Sequence, residues 1–371
     1  MTLRLLFKQK LLSFIKKGES PKDLTESAKL LVRWIELSFA SVNPKGGASS
    51  GYHLVSGWGN SYPEITGYLI PTLLKAADRW NSPHLQELAL HAGSWLDETK
   101  LKSSAICSRE WSPENQNPSV FNTGQAVRGW CALWEKTRSP LWLENAKRSA
   151  DWVLSQQEED GSWARSAFNG IPHSYYVYVA WPLAWLGKLS GDQRYMDAAK
   201  KNLGWTVRQQ NELGWFDHAG FLKDDIPTTH TIAYILEGLL ESSRIMNDPV
   251  YLSACESSAS ALMKLYRERG YLPGILDNHW NSKAVWRCLA GDAQMGLVWV
   301  KLAKVTGKSE FKKAGQDIAL ELIKTQTVKK EWPEISGAIK GSQPHWGDYD
   351  PYRYPTHASK FMLDLIMELE A

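Results

Sequence analysis

Bulky apolar and small residues occur along this chain in a helical pattern that is repeated five times, with copies about 55 residues apart. Each copy opens at a polar or proline-containing turn and then places a bulky residue one helical turn before a small one. The bulky members are Leu85, Trp142, Tyr195, Tyr251 and Phe311. The small members are Ala89, Ala146, Ala199, Cys255 and Gly315. This spacing is typical of helices that pack tightly against a partner. Repeated units of this kind bury their faces only by stacking on one another.

Between these copies lies a second set of helical segments that is richer in aromatic and small residues and poorer in charge. We predict these segments at residues 63–80, 123–136, 174–189, 228–246, 284–305 and 356–369. Segments that are apolar nearly all round belong in an inner layer, whereas the repeated segments keep a charged face and belong outside. Residues 24–41 supply a last outer helix, which gives six inner and six outer helices. The pattern therefore predicts an all-α (α/α)6 toroid, or barrel, in which residues 1–371 form one domain and the first helix closes the ring against the last.

The composition of the chain argues against some classes of function, nucleic-acid binding first among them. The chain has 371 residues and a net charge of +3 with acids and bases interspersed, so it lacks the basic patch expected of a nucleic-acid-binding protein. Its 19 tryptophans suit a groove lined with flat rings as well as a core. The cysteines are scattered without metal-ligand spacing, so we expect buried reduced thiols, no metal site and no cofactor. They are Cys107, Cys131, Cys255 and Cys288.

The N-terminal residues 1–20 have the pattern of a basic amphipathic helix, with Leu3, Phe7, Leu11 and Phe14 on one side. Lysines interrupt the apolar stretch, so it does not resemble a signal peptide. A helix of this kind either caps the fold or makes peripheral contact with a membrane surface. No apolar run is long enough to span a bilayer, and we expect a cytoplasmic or membrane-peripheral protein.

In a toroid the inner helices all run the same way, so the segments that enter them converge on one mouth. These segments are unusually polar and aromatic. Six helix N-termini directed at one cavity make it electropositive, which favours an anionic partner such as an acidic oligosaccharide or polysaccharide. The candidate substrate-binding residues are Trp58, Tyr68, Asn122, Gln125, His173, Tyr176, Trp280, Arg287, Trp346 and His357.

Cleavage of a glycosidic bond requires two carboxyl groups, one protonated as the acid and one ionised as base or nucleophile. Glu64 lies in the first turn of an inner helix among aromatic residues, and Asp277 lies just before another inner helix. We therefore predict that Glu64 is the proton donor, with a pKa raised by burial, and that Asp277 is its partner. Alternative acids lie in other entering loops, at Asp224, Asp225, Asp348 and Asp350.

Uronate lyase or C5-epimerase chemistry is the second hypothesis. It needs a base that removes the proton next to a carboxylate, and Tyr or His serves this role. The candidate bases are His230, Tyr62 and Tyr175, with His173 and Tyr176 beside them. The candidates for neutralising the substrate carboxylate are Asn122, Gln125, Arg287 and Lys360.

This organisation resembles the six-hairpin α/α toroid superfamily. That superfamily includes unsaturated uronyl hydrolases and other inverting glycosidases, sugar 2-epimerases, and the helical domains of heparinase-type lyases and glucuronyl C5-epimerases. The segments FNTGQAVRGW at 121–130 and PTTHTIAYILEGLLE at 227–241 look like stretches of the glucuronyl C5-epimerase helical domain. The closing segment at 341–361 is similar to proteins associated with bacterial surface-polysaccharide loci. The resemblance implies a carbohydrate-active enzyme that acts on a uronic-acid-containing substrate in bacterial surface polysaccharide metabolism. The chain departs from the uronyl hydrolases in that their catalytic Asp has no matching inner-helix position.

Two further hypotheses come from other classes. A non-catalytic glycan-binding or assembly protein would keep the aromatic lining without an acid/base pair. A terpenoid cyclase is suggested by Gln157, Gly161 and Trp163, which fit a Q-x3-G-x-W repeat. That repeat ties the end of an outer helix to the next turn and so reports packing, and the acidic run such cyclases use is missing.

Overall fold

The structure, a computed structural model, describes residues 19–42, 46–329 and 332–371. Across these ranges the chain forms twelve α-helices and several very short strands. The predicted amphipathic helix of residues 1–20 falls almost wholly outside the described residues. None of the helices within these ranges is long and apolar enough to cross a membrane.

The helices alternate between an outer and an inner layer along the chain. The outer helices are α1 (Leu24–Ala40), α3 (Pro83–Glu98), α5 (Pro140–Ser155), α7 (Gln193–Val207), α9 (Pro249–Arg269) and α11 (Ser309–Ile323). The inner helices are α2 (Pro63–Trp80), α4 (Val120–Thr137), α6 (Val177–Ser190), α8 (Thr229–Met246), α10 (Leu289–Thr306) and α12 (Thr356–Leu369). Each inner helix packs against two inner neighbours, and α12 packs against both α2 and α1. The ring is therefore closed, and the predicted (α/α)6 toroid is confirmed.

The large-and-small spacing of the outer helices packs as the sequence predicts. Trp142 and Ala146 are both buried, as are Phe311 and Gly315 at the equivalent positions of α11. A Cβ added at Gly315 would lie 2.9 Å from the carbonyl oxygen of Gly296 on α10, so this helix pair approaches too closely for any side chain. The small residues thus set the distance between the layers.

The Q-x3-G-x-W repeat has the packing role expected of it. The side-chain amide of Gln157 donates to the carbonyl oxygens of Gly161, at 3.1 Å, and Ala198, at 2.9 Å. The amide of Gln210 donates in the same way to the carbonyl oxygen of Ala254, at 2.8 Å. Each glutamine therefore ties the end of one outer helix to the next outer helix.

Short antiparallel strands hold the loops that lead into the inner helices. They are β1 (Gly51–His53), β2 (Gly57–Trp58), β3 (Ile106–Cys107), β4 (Pro118–Ser119), β5 (Arg287–Cys288), β6 (Ser342–Gln343) and β7 (Arg353–Pro355). β1 pairs with both β2 and β7, β3 pairs with β4, and β5 pairs with β6. The inner helix predicted to begin at residue 284 begins instead at Leu289, because the two preceding residues pair with β6.

Candidate functional site

The loops and first turns at the N-terminal ends of the inner helices enclose a cavity of about 580 Å³. Its wall combines side chains from α2, α4, α8 and α12 with the loops before α4 and α6 and the loop between β6 and β7. The structure brings together seven of the residues that the sequence predicted for the site: Tyr62, Glu64, Asn122, Tyr175, Tyr176, His230 and His357. Segments that are distant in the sequence therefore do meet at one mouth. The catalytic roles of these seven residues stay predictions.

Glu64 lies in the first turn of α2, directly after Pro63 at the start of the helix. Burial raises the pKa of the Glu64 carboxyl to about 7, although hydrogen bonds from Tyr62 and Tyr234 oppose the shift. A carboxyl group with this pKa holds its proton in a large fraction of molecules near neutral pH. Glu64 is therefore suited to donate a proton to a ligand in the cavity.

Phenol groups surround this carboxyl group. Burial raises the pKa of Tyr62, Tyr175 and Tyr234 well above the ordinary value, and the charge of Glu64 raises each further. Tyr68, a predicted substrate-binding residue, is fully buried one turn below Glu64 and does not line the cavity, and burial raises its pKa well above the ordinary value too. A phenol with a raised pKa stays protonated at neutral pH, so these tyrosines act as hydrogen-bond donors and are poor bases.

Two imidazoles form another part of the wall, and one of them, His230, lies with its ring centroid 4.2 Å from that of Tyr234. The ring of His230 stacks on the ring of His357 with their centroids 5.1 Å apart. The Nε2 atom of His357 lies 2.8 Å from the hydroxyl oxygen of Tyr349. Burial lowers the pKa of His230 well below its ordinary value, and the charge of Lys360 lowers it further. Burial, with Arg353 and Lys360, lowers the pKa of His357 to about 3. Both rings are thus neutral and able to accept a proton.

A second carboxyl group reaches the cavity from the loop between β6 and β7. Asp350 lines the wall together with Asp348, and both were alternative acids in the sequence. Burial raises the pKa of Asp350, while the Arg353 guanidinium, with its Nη1 atom 3.9 Å from Asp350 Oδ1, opposes the shift. The charges of Asp350 and Glu64 both raise the pKa of Tyr62 and of Tyr349. Asp350 and Glu64 therefore act on the same group of phenols.

Asp277, the predicted partner of Glu64, does not line this cavity. Its carboxylate accepts hydrogen bonds from the backbone N–H groups of His279, at 3.0 Å, and Asn281, at 2.8 Å. It also pairs with Lys283, whose Nζ lies 3.2 Å away. Although burial opposes it, these partners lower the pKa of Asp277 to about 2. The prediction placed Asp277 correctly before an inner helix, but its side chain closes a turn and does not face the cavity.

The three predicted tryptophans also lie away from the cavity wall. Trp58 packs on Trp34 with ring centroids 5.2 Å apart. The indole N–H of Trp280 donates to the carbonyl oxygen of Leu213 at 2.8 Å. Trp346 is exposed. The two aspartates at 224 and 225 lie in an exposed loop and do not line the wall either.

The residues predicted to neutralise a substrate carboxylate, and the candidate base His173, all have partners within the protein. Gln125 donates to the carbonyl oxygen of Tyr178 at 3.0 Å, and Arg287 pairs with Asp292 at 2.7 Å. His173 lies 3.0 Å from the carbonyl oxygen of Gly220 and 2.8 Å from that of Phe168 through its two ring nitrogens. Asn122 lines the cavity, but its amide donates to the carbonyl oxygen of Cys107 at 2.7 Å. Lys360 is buried below the wall and pairs with Asp364 at 2.9 Å.

Arg109 is the cation that sequence reasoning missed. It is exposed, lines the cavity and has a φ of 59°, a left-handed conformation that is uncommon for arginine. Its loop is tied down because the Trp111 N–H donates to the carbonyl oxygen of Ser61 at 2.8 Å. Among the lining residues that the structure describes, Arg109 alone is an arginine or lysine. The only signal in the sequence was an arginine near an aromatic residue in an entering loop.

A larger groove of about 840 Å³ lies on the outside of the ring, against α1 and α3. Its wall includes Trp34, Phe39 and Leu88, and the one acid among its described lining residues, Glu36, pairs with His84 at 3.3 Å. The clustered acids, phenols and imidazoles lie at the mouth instead. In the part of the chain that the structure describes, no group of three His, Cys, Asp or Glu side chains is placed to hold a metal ion.

Comparison with known proteins yields structural likeness alone, since no family model and no curated protein matches the sequence. The cellobiose 2-epimerase of Bacillus thermoamylovorans B4167 has a TM-score of 0.72 at 13% identity, covering 92% of this chain and 98% of its own. The unsaturated glucuronyl hydrolase of Bacillus sp. GL1 has a TM-score of 0.72 at 14% identity, covering 94% and 96%. An α-amylase from Clostridium perfringens has a TM-score of 0.67 at 12% identity, covering 92% and 97%. These likenesses establish that the fold is the six-hairpin α/α toroid.

Proposed function

We propose that this protein is a carbohydrate-active enzyme that cleaves a glycosidic bond in an acidic, uronic-acid-containing saccharide. The observation that carries the proposal is the Glu64 carboxyl group, which has a pKa of about 7 and lies in the wall of a cavity that also contains Asp350. Enzymes with this fold support the substrate class. An unsaturated glucuronyl hydrolase from Streptococcus agalactiae, similar at a TM-score of 0.68 and 10% identity, is complexed with dGlcA-GalNAc6S.

In the proposed reaction Glu64 donates its proton to the glycosidic oxygen as the bond from that oxygen to the anomeric carbon breaks. Asp350 accepts a proton from the water whose oxygen forms the new bond to the anomeric carbon. Arg109 pairs with the carboxylate of the sugar. The rings of Tyr175 and Phe168, which line the same cavity, pack against the sugar faces.

The experiment is a product assay with matched carboxyl-to-amide variants. Purified protein is incubated with uronic-acid-containing oligosaccharides, and the products are analysed by mass spectrometry. We expect two fragments whose summed mass exceeds that of the substrate by one water. Glu64→Gln and Asp350→Asn should each lower turnover by about 100-fold or more, while Asp277→Asn, outside the cavity, retains it. Full turnover by Glu64→Gln would refute the proposal.

A second candidate is proton abstraction from a sugar carbon next to a carbonyl or carboxylate, leading to epimerisation or elimination. The stacked neutral pair of His230 and His357 favours it, because each ring is unprotonated at neutral pH and keeps a nitrogen lone pair that can take up a proton. Uptake of solvent deuterium at that carbon without bond cleavage would identify an epimerase. Absorbance from a new double bond would identify a lyase.

We further propose a cytoplasmic setting in bacterial surface polysaccharide metabolism. The four cysteines are buried and free, which suits a reducing compartment. Membrane contact through residues 1–20 stays a prediction.

A further inference from the structure

A buried polar chain continues below the cavity from His230 to Glu237. The two residues lie on α8, about two helical turns apart, and Gln294 on α10 lies between them. The Gln294 Nε2 atom donates to Glu237 Oε2 at 2.8 Å. Lys301 Nζ donates to Glu237 Oε1 at 3.0 Å, and the Tyr178 hydroxyl donates to Oε2 at 3.0 Å. All five side chains are buried.

Glu237 is ionised in this environment. Burial alone would raise its pKa, but the charges of Lys301, Lys360 and Arg128 outweigh burial and hold the pKa well below the ordinary value. An ionised carboxylate accepts hydrogen bonds and has none to donate. The Gln294 side chain must therefore present its NH₂ group to Glu237, which removes the usual ambiguity in the orientation of a glutamine amide.

With its NH₂ group directed at Glu237, Gln294 has its carbonyl oxygen free for a second partner. The Gln294 side chain lies near the His230 side chain and favours the charged form of the imidazole. Gln294 Oε1 and His230 Nδ1 are both buried, and neither has a hydrogen-bond partner in the described part of the chain. A carbonyl oxygen only accepts, so the histidine nitrogen that faces it must carry the hydrogen.

We infer that these two unpaired atoms pair with each other, so that Gln294, held by ionised Glu237, fixes His230 in the tautomer with the proton on Nδ1. Gln294 and Glu237 are then positioning residues, and Nε2 of His230 keeps its lone pair for a ligand in the cavity. In a catalytic triad a carboxylate accepts the N–H of the histidine and so fixes its tautomer and orientation. Here the carbonyl oxygen of Gln294 has that role. The tautomer matters because the His230 ring is neutral. His357 and Lys360 disfavour its protonation, and Glu237 only partly opposes them.

An effect of Gln294 on the reaction rate is expected only if the second candidate reaction, in which His230 is a base, is correct. The tautomer of His230 does not depend on that reaction. The first test is therefore spectroscopic. The full chain is labelled with ¹⁵N-histidine, and long-range ¹H–¹⁵N correlation spectra distinguish the two tautomers of a neutral ring. The chain has 9 histidines, so the His230 signals are assigned by their loss in His230→Asn. We expect protonated Nδ1 and unprotonated Nε2 in the unmodified protein. The opposite tautomer would overturn the inference.

A pair of variants tests the role of Gln294. Gln294→Leu removes the acceptor and should leave a mixture of tautomers, or the Nε2–H form. Gln125→Leu is the matched control, because Gln125 is also a buried inner-helix glutamine but bonds to the carbonyl of Tyr178. It should leave the His230 signals unchanged. An unchanged His230 tautomer in folded Gln294→Leu would overturn the inference. Should that variant not fold, the spectrum of the unmodified protein still decides.

Turnover measurements separate this inference from the proposed function. If His230 is a base, Gln294→Leu should lower kcat by about tenfold or more with little change in KM, and should alter the pH profile. A confirmed Nδ1–H tautomer together with full activity of His230→Asn would support the inference and refute the second candidate reaction. An Nε2–H tautomer in an enzyme that needs His230 would refute the inference alone.

Discussion

The imidazole of His230 on α8 stacks on that of His357 on α12, with 5.1 Å between the ring centroids. Both side chains line the cavity, and both have lowered pKa values because they are buried beside the cation Lys360. In the same cavity, burial raises the pKa of Glu64. One small cavity thus contains two neutral imidazoles and a carboxyl group that keeps its proton in a large fraction of molecules near neutral pH.

The raised pKa of Glu64 predicts how activity depends on pH. A reaction that needs the protonated acid should keep its rate below about pH 7 and lose it as the pH rises further. Tyr234→Phe removes a hydrogen bond that stabilises the charged form, so it should move this limb to higher pH. The pH profile of kcat checks both statements. A limb that stays in place in Tyr234→Phe would exclude Glu64 as the titrating acid.

The same shift predicts a pH dependence of stability. The folded pKa of Glu64, about 7, exceeds its ordinary value of 4.5, so between these pH values the folded state binds a proton that the unfolded state releases. This contribution to stability is present below about pH 4.5 and is lost as the pH rises to about 7, with a size of up to about 3 kcal/mol. Glu64→Gln should lack it. Denaturant unfolding at several pH values measures the difference between the two proteins.

Asp277 should contribute to stability and leave catalysis unaffected. Asp277→Asn weakens two hydrogen bonds to backbone N–H groups and the ion pair with Lys283, so we expect a loss of about 1–2 kcal/mol at pH 7. The folded pKa is lowered to about 2, so the contribution is present above about pH 4 and disappears as the pH falls towards 2. Thermal unfolding of the variant checks the loss. A fall in kcat at unchanged stability would return Asp277 to the catalytic site.

Arg109 should determine the preference for acidic substrates. Arg109→Ala removes the cation from the described cavity wall and should raise KM for a uronic-acid-containing substrate by about tenfold or more. The matched substrate is the same oligosaccharide with its carboxyl groups reduced to alcohols, for which the variant and the unmodified protein should behave alike. An equal effect on both substrates would mean that Arg109 supports the loop and does not bind the carboxylate.

Lys301 should be important for folding because it neutralises two buried acids. Its Nζ lies 3.0 Å from Glu237 and 2.7 Å from Glu241. Lys301→Met removes the ammonium group that contacts both carboxylates and should cost about 3–5 kcal/mol of stability. The double variant Lys301→Met with Glu237→Gln should recover part of that loss, because one uncompensated charge is removed. Urea unfolding of the single and double variants tests this, and equal stability of Lys301→Met and the unmodified protein would contradict it.

The fold could be predicted because the residue pattern that specifies each helix is local and recurs along the chain. The spacing of Trp142 and Ala146 recurs in the other outer helices, and such pairs report helix packing wherever they occur. Glu64 and His230 could be placed at the mouth for the same reason, since each lies in the first turn of an inner helix.

Loop residues could not be placed from the sequence. Asp277 and Arg109 both lie in entering loops, but one closes a turn and the other lines the cavity. This difference depends on strand pairing and on backbone conformation. Examples are the pairing of β5 with β6 and the left-handed φ of Arg109. Neither leaves a periodic signal in the chain.

The packing of α12 against α1 and α2 has a consequence for how the protein is made. During synthesis the first hairpins leave the ribosome long before α12 exists, so their apolar inner faces lack a neighbour on one side. The last fully buried layer forms only after residue 356 has been added. The core is therefore completed only after α12 has been synthesised. Until then, we expect chaperones that bind apolar surface to bind the nascent chain.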